Sequence, residues 1–497
     1  MVVGDLCTRS RRRGSICHMN IPAGATTGRD YSLVGPERAR SIARGLADAQ
    51  WYTSPVPRDQ MRAFMVRRNG PAVRDTLLWF ALLAGSGYVA HRTFGTWWMI
   101  PAFFVYATLY GSVSDSRWHE CAHRTAFKST WMNDAVYYLA SFMVWREAVS
   151  WRWSHVRHHS DTIIVGRDPE IANPRPMRLR VPLKECLGLS SNPGETRKIM
   201  SNVAGRLTPA ELDYIPESER PKAILTARVY VFLWALTVAL AAVTRSVEPL
   251  LFVIGPSFYG KWLMVAYGVT QHAGLAEDTL DHRLNSRTVR MNRLHRYLYW
   301  NMNFHIEHHM FPTVPFHALP ALHEAVKDDL PPVYSGFRVT YREILDASRA
   351  QAKDPSFFVD RTALLPAPKP NATAVVASLG SIIADGHTPD GWVVVGPVGA
   401  LAISDAIGFD IGDRTYAVYR LADGSVHATD GLCTHGAFRL CEGHVDGGVI
   451  ECPKHNGRFE IATGKAVGRP AKVDLNVHEA RERDGRIELR IGPDCPS

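Results

Sequence analysis

The amino-acid sequence predicts a mostly α-helical membrane domain, four transmembrane helices carrying a cytosolic cap of histidine boxes, followed by a small all-β domain. Three observations predict it. Four apolar runs come as two closely spaced pairs, Thr76–Ala90 with Trp97–Val113 and Ala223–Val243 with Pro249–Val269. Clustered histidines follow those pairs. From residue 391 the pattern turns to short β-rich runs punctuated by Gly and Asp.

At 497 residues the chain exceeds one ordinary soluble domain. Residues 1–70 read as a basic N-terminal extension, and residues 1–50 lack sustained periodicity, as a flexible or loosely helical lead would. Each apolar run approaches the roughly 20 residues needed to cross a bilayer core. Buried helices of a large soluble core are the alternative; two hairpins with tiny connections, His91–Thr96 and Thr244–Glu248, fit spans better. A hydrophobic content of 46% beside a mean hydropathy of −0.12 is what several spans averaged with much soluble mass produce.

Charge orients the hairpins. The formal net charge is +9, but the Arg residues are not interleaved with aromatics on one soluble platform, so no nucleic-acid partner is expected. Arg58, Arg62, Arg67, Arg68 and Arg74 crowd ahead of the first run, whereas the two tight loops hold only Arg92 and Arg245. The positive-inside rule then puts both termini in the cytoplasm, with residues 114–222 and everything after 270 on that face of a multi-pass inner-membrane protein in contact with the lipid bilayer. Residues 71–347 make up the membrane domain. The stretch 348–390, rich in Ala, Pro, Ser and Gly and centred on Pro366-Ala367-Pro368-Lys369-Pro370, reads as a linker. Residues 391–497 form the all-β domain, with strands expected over Trp392–Val395, Thr415–Arg420, Val426–Thr429, Val449–Glu451 and Ile487–Ile491. The eight Cys are scattered, except for Cys433, Cys441 and Cys452, which points to a reducing compartment rather than a disulfide scaffold.

Histidines concentrate in three boxes: His119 and His123; His155, His158 and His159; and His305, His308 and His309. Spacings of three and four put side chains on one helix face, so each box aims two or three imidazoles at one point. Neutral imidazole suits iron, and imidazoles from several helices can hold two metals. His119-Glu120-Cys121-Ala122-His123 alone matches the zinc-protease pattern HExxH. A zinc site needs only three protein ligands, however, and this chain offers eight box histidines. Glu120, Asp161, Asp168 and Glu307 stand close enough in sequence to orient metal-bound histidines, or to be solvated helix charges.

The second centre lies in the β domain. Cys433-Thr434-His435 and Cys452-Pro453-Lys454-His455 are separated by sixteen residues. This CxH…CxxH pattern is the Rieske signature, in which two Cys hold one iron and two His the other; a zinc ribbon is the alternative. Gly436, Gly443 and Gly457 suit the tight loops that wrap a cluster. Lys454 and Asn456 flank His455, so the second loop holds no spare Cys, and Cys441 is left as an unpaired packing residue. High-potential Rieske proteins carry an extra Cys in each loop, so the low-potential, ferredoxin-like form is expected.

On its boxes the chain resembles the integral-membrane fatty acid desaturase and hydroxylase superfamily over roughly residues 75–345. Gln271-His272-Ala273-Gly274 and Asn301-Met302-Asn303-Phe304-His305 through Met310-Phe311-Pro312 look like the segments around that family's last histidines, and Asp168-Pro169-Glu170 like the segment after its second box. The resemblance implies that His272 is a ninth ligand of two non-haem irons, with no catalytic residue beyond the di-iron ligands. Acyl-CoA desaturases use an Asn one turn before this position; here it is Gly268, which favours an all-histidine site. The C-terminal domain, over about residues 390–492, resembles Rieske ferredoxins of bacterial oxygenase systems. The pairing is similar to the rhizopine-catabolism oxygenase and its Rieske-type ferredoxin, joined in one chain.

These resemblances imply an O2-dependent di-iron oxygenase that hydroxylates or oxidatively demethylates an unactivated C–H bond of a small molecule, with its own [2Fe–2S] donor. A fatty acyl or lipid desaturase with the same electron supply is the alternative. A membrane electron-transfer subunit without oxygenase chemistry is the non-enzyme reading. No GxGxxG follows a strand, so an NAD(P)H-dependent ferredoxin reductase is expected in trans.

Overall fold

The computed structural model describes residues 29–366 except 48, and residues 391–490 except 413, 437, 455 and 469. The first apolar run lies in a 24-residue helix, Asn69–Arg92. The second begins as Met99–Ala107 and passes through a π-helical turn, Thr108–Ser112, into Val113–Ala122. The first histidine box therefore rides on the same rod as the second apolar run. Such a single π turn absorbs one extra residue without ending the helix.

The third run forms the 25-residue helix Arg220–Thr244, closed by Arg245 in the left-handed region (φ 49°). The fourth departs from the expected single span. It is three helices in succession, Glu248–Val253, Pro256–Tyr259 and Trp262–His272. Pro256 has no N–H to continue the ladder, and Gly260 is pressed against the second rod. A Cβ on Gly260 would sit 2.1 Å from the Ala107 carbonyl oxygen, and one on Gly111 would sit 2.4 Å from that of Pro256. The Ser112 hydroxyl accepts from the Met264 N–H at 3.0 Å and donates to the Gly260 carbonyl, so one side chain ties the two hairpins together. Of the four runs expected to span, two segments, Glu217–Thr244 and Glu248–His272, are long and apolar enough to cross a membrane.

Above the hairpins sits the histidine cap. The helix Ala148–Ser160, which carries the second box, starts at Glu147, whose carboxylate accepts from the Val149 and Ser150 N–H groups at 3.0 and 2.7 Å. The third box occupies the short helix His305–Met310. Apolar packing under the boxes is continuous, from Trp118 and Tyr137 to Trp300, Phe316 and Leu322.

The C-terminal domain is all-β, as expected. Sheet one orders β1 (Trp392–Pro397), β11 (Arg486–Arg490) and β10 (Ala480–Arg483). Sheet two orders β2 (Asp405–Ile411), β3 (Arg414–Arg420), β4 (Val426–Asp430) and β9 (Val477–His478). Sheet three orders β5 (His444–Asp446), β6 (Val449–Glu451), β7 (Arg458–Glu460) and β8 (Ala466–Gly468). The five expected strands fall within β1, β3, β4, β6 and β11, save that Ile491 lies outside the described residues. Of the others, β5, β7, β8, β9 and β10 are too short to show the apolar alternation that marks a strand in sequence, whereas β2 carries it at Ile407, Phe409 and Ile411 and was not expected.

Both flanking segments are more structured than their composition suggests. In the N-terminal extension, residues 29–47 and 49–70 fold onto the cap: Arg29 pairs with Glu277 at 2.7 Å, and Trp51 is buried. Residues 1–28 of the expected lead lie outside the described residues. At the other end the helix Phe337–Lys353 continues into the expected linker, because Ile344, Ala347 and Gln351 stay on its buried face. Beyond it, the Val359 N–H bonds the Gly274 carbonyl at 2.8 Å, and the buried Arg361 side chain donates to the Ser286 carbonyl at 2.6 Å. The rest of the expected linker, 367–390, lies outside the described residues.

The hairpin crossing makes a testable demand. Gly260→Ala places a methyl group where a backbone oxygen already sits, an overpacking worth about 1–3 kcal/mol. Thermal unfolding of the full chain in detergent should begin at a lower temperature in this variant. Gly268→Ala, where an added Cβ meets nothing within 4 Å, should not move it.

Candidate metal centres

All nine histidines singled out from the sequence converge. His119, His123, His155, His159 and His308 bring ring nitrogens within 4.8 Å of one another, and so do His158, His272 and His309. His305 joins the second group, its Nε2 lying 3.0 Å from Nε2 of both His272 and His309. In the first group, Nε2 of His119 is 2.8 Å from that of His308, and Nε2 of His155 is 3.0 Å from that of His123. Each box contributes to more than one partner helix, so the groups form only when all the helices are assembled.

Carboxylates fix several rings from behind. Asp168 accepts from Nδ1 of His158 at 2.9 Å and is itself held by the Ile163 and Glu170 N–H groups, each at 2.7 Å. Glu170 accepts from Nδ1 of His155 at 3.1 Å. Nδ1 of His272 faces the Asn285 carbonyl at 2.8 Å. With Nδ1 occupied, Nε2 presents its lone pair inward. The other acidic residues flagged in the sequence serve elsewhere. Asp161 pairs with Arg157 and Arg167, Glu307 bonds Thr288 and His323, and Glu120 accepts from Thr125 and the Phe316 N–H.

Electrostatics suit cations. Burial, reinforced by neighbouring rings, pushes His119, His159 and His308 well below the ordinary imidazole range, so they stay neutral with lone pairs free. Burial would raise the Glu170 carboxyl, but His155 beside it wins and holds it at about 2. Both ring nitrogens of His159, and Nδ1 of His305 and His308, are buried without a hydrogen-bond partner. An orphaned buried nitrogen of His159 is costly, and a metal ion at the first group removes that cost for the nitrogen that faces it. The donor set, all imidazole, fits iron.

In the β domain the two expected loops meet. Leu432 and Arg439 form a bridge that pinches off the first loop, and the second runs from β6 to β7. Gly457 fits because a Cβ there would lie 3.7 Å from the Cys433 sulfur and 3.2 Å from the Ala471 Cβ. Cys433 and Cys452 are buried, unbridged thiols. Cys452 beside it, helped by the His435 and Gly436 N–H groups, lowers the Cys433 thiol below its usual range, as a metal-binding thiolate requires. His455 lies outside the described residues. Cys441 is buried and unbridged within the apolar core of this domain.

The β domain sits on the cap. Glu451 takes the buried Arg67 guanidinium, and Asp405 takes Arg58 and Arg62 at 2.5 and 3.3 Å. Nζ of Lys454 lies 3.3 Å from Nε2 of His282. A cavity of about 640 Å³ opens between the domains, with His123 and His159 at its floor and Arg67, Arg124, Lys128, Arg152, Lys454 and Arg458 around it. Glu219, Asp446 and Glu451 are its acidic residues. A second recess, of about 570 Å³, joins His435 and Lys472 to Trp51, Trp153 and Arg157.

Comparison with known proteins agrees with both halves. The fatty acid desaturase family profile matches residues 95–341, and the Rieske [2Fe-2S] domain profile matches residues 391–479. The ferredoxin component of the naphthalene 1,2-dioxygenase/salicylate 5-hydroxylase systems of a Ralstonia species is 34% identical over 100 residues, which are 20% of this chain and 95% of that protein. Ferredoxin CarAc of Metapseudomonas resinovorans is 43% identical over 77 residues, 16% of this chain and 71% of that protein. Among solved structures, the Sphingomonas yanoikuyae B1 ferredoxin is 34% identical, covering 20% of this chain and 95% of its own, with a TM-score of 0.19. The Rieske domain implies a [2Fe–2S] cluster, and the histidine-rich desaturase domain implies a di-iron centre.

Removing the charge behind one ring tests this arrangement. Asp168→Asn keeps the shape but loses the carboxylate on His158, and should weaken iron binding at the histidine cluster by about 10–100-fold. His308→Ala should empty it further. Metal analysis should find the loss confined to that cluster, with the visible spectrum of the [2Fe–2S] centre unchanged in both variants.

Proposed function

We propose that this chain, which belongs to the Rieske [2Fe-2S] family through its C-terminal domain and carries a fatty acid desaturase domain over residues 95–341, is a self-sufficient, O2-dependent di-iron oxygenase of a small molecule. Both family assignments make it an iron-dependent oxidoreductase. The observation that carries the finer reading is the cavity between the domains, which brings His123 and His159 of the cluster to a space bounded by the Rieske domain.

The metal groups would be held by His119, His123, His155, His159 and His308 on one side and His158, His272, His305 and His309 on the other. The [2Fe–2S] cluster would be held by Cys433, His435, Cys452 and His455. When loaded, the di-iron centre supplies O2 activation, and the cluster supplies the electrons for it one at a time. The protein residues do the positioning. Asp168 and Glu170 hold their histidines in the tautomer that points Nε2 inward. The ion pairs of Arg67 with Glu451 and of Arg58 with Asp405 close the Rieske domain over the site, which limits water entry. Six basic side chains against three acidic ones give the cavity a cationic wall, suited to a small polar substrate bearing a negative group. Overall, one oxygen atom enters the substrate C–H bond and the other leaves as water, consuming two electrons and two protons from an NAD(P)H-dependent reductase in trans.

A membrane setting supports the same reading. Exposed apolar side chains, among them Leu77, Phe80, Phe104, Phe232, Leu236 and Val243, cover the flanks of the helical hairpins, as lipid contact would require. With the Arg residues ahead of the first hairpin, they favour four crossings with both metal centres in the cytoplasm. Reporters fused after Gly95 and after Pro370 should read opposite sides; the same side for both would remove this topology.

The reaction is tested by comparing metabolites of cells with and without the protein under ¹⁸O2. A product bearing one ¹⁸O atom is expected. A product two hydrogens lighter without label marks the acyl or lipid desaturase instead, and no new product in either sense marks an electron-transfer subunit.

A further inference from the structure

A further buried histidine stands beside the nine of the cluster, and no box motif contains it. His282 opens the short helix His282–Asn285 and is fully buried. One face of its ring stacks on Trp51, with centroids 4.3 Å apart and planes 9° from parallel. Its ring also lies 5.2 Å from that of His309, centroid to centroid. Its Nε2 lies 3.3 Å from the Lys454 amino nitrogen, and Lys454 also lies 5.2 Å above the Trp51 ring. Lys454 stands between Cys452 and His455 in the second Rieske loop. Trp51 is fixed in turn by its indole N–H, which donates to the Ser160 carbonyl at 3.1 Å at the end of the second-box helix.

We propose that His282, with Lys454 and Trp51, is the bridge by which electrons cross from the Rieske cluster to the di-iron centre of the same chain. The inference rests on the reading that the nine histidines hold the acceptor irons. Electron tunnelling decays exponentially with the gap between centres, and decays less steeply through packed, hydrogen-bonded atoms than through a void or loose water. The line Lys454–His282–His309 is such a path, buried throughout. Burying a lysine amino group against a histidine is expensive for docking alone, since an apolar contact would cost less. Each passage oxidises the cluster by one electron and reduces one iron of the acceptor by one; two passages, each followed by re-reduction of the cluster by the reductase, supply the two electrons of the reaction. The path ends on His309, so the iron held with His158, His272 and His305 receives them first.

The test uses the full chain in lipid nanodiscs, with iron counted first. The cluster is reduced chemically, and its reoxidation is followed by visible absorption after mixing with O2. His282→Leu removes both the ring and the acceptor nitrogen. It should slow reoxidation by about tenfold or more, a barrier increase of about 1.4 kcal/mol. Iron content and Rieske spectrum should be those of the parent, and direct chemical reduction of the di-iron site should restore one full turnover. His282→Gln, which keeps an acceptor for Lys454, should transfer faster than the Leu variant. Should the Leu variant fail to hold iron, Lys454→Met carries the test from the Rieske side. Slower transfer in this variant, with a cluster potential no higher than the parent's, supports the bridge. Parent-rate reoxidation in His282→Leu, or in Lys454→Met where the first lacks iron, overturns it. Two irons per chain in the parent protein, rather than four, would overturn the di-iron reading itself and the bridge with it.

Discussion

Imidazole nitrogens packed about three ångströms apart in a dry interior are the condition on which everything else in this protein depends. Two neutral lone pairs cannot face each other at that distance without a proton or a metal between them. Nε2 pairs at 2.8 and 3.0 Å recur throughout the cluster, and burial keeps the rings from charging. Metal ions resolve the conflict, and the fold is arranged to present the rings to them. The first-box rod must continue unbroken from an apolar helix, so a π turn takes up the extra residue where Gly111 meets Pro256. The second-box helix must be pinned at its ends, which Glu147 at its start and Asp168, bonded to His158 and the Ile163 N–H beyond its end, accomplish.

The Rieske domain answers a second constraint. A centre sealed from water is also sealed from a diffusing electron carrier, so the donor has to come to one face of the cap. Charged contacts do the docking. Glu451 stays ionised in a buried position because Arg67 lies against it. Such a pair contributes orientation more than net stability, since its desolvation offsets most of its attraction. The docked domain also supplies one wall of the cavity above His123 and His159. On the proposed function, electron delivery and substrate enclosure would share this one interface, which is a physical reason for both domains to occupy a single chain.

Much of this was legible in the sequence because it depends on local spacing. Histidines three and four apart on a helix must point together, and CxH…CxxH must bring its residues to two adjoining loops. The breaks in the fourth apolar run at Pro256 and Gly260 were not read from the sequence, because their meaning, a backbone crossing against Ala107, requires the partner helix. What stayed hidden depends on contacts between distant segments. Glu170 was visible only as part of a familiar triplet, and its bond to His155 is a tertiary fact. Trp51 and His282 carried no signal at all, because one lies in an aperiodic basic stretch and the other in an unremarkable loop. The expected linker began too early for a different reason. Alanine-rich composition serves a helix as readily as a loose tether, and the buried face of Ile344, Ala347 and Gln351 decides for the helix.

The central claim, that the Rieske domain feeds the di-iron centre of its own chain from this docked position, is tested most directly by severing the chain between residues 367 and 390. Turnover supported by the reductase is then measured as a function of the concentration of the freed domain. Tethering gives an effective concentration in the millimolar range, about that of short flexible connections. The account predicts a strong loss of turnover at low concentrations of the freed domain and recovery as it is raised toward that value, because only the encounter has been lost. A severed desaturase domain that runs at the full rate with reductase alone, and no Rieske domain present, would contradict it.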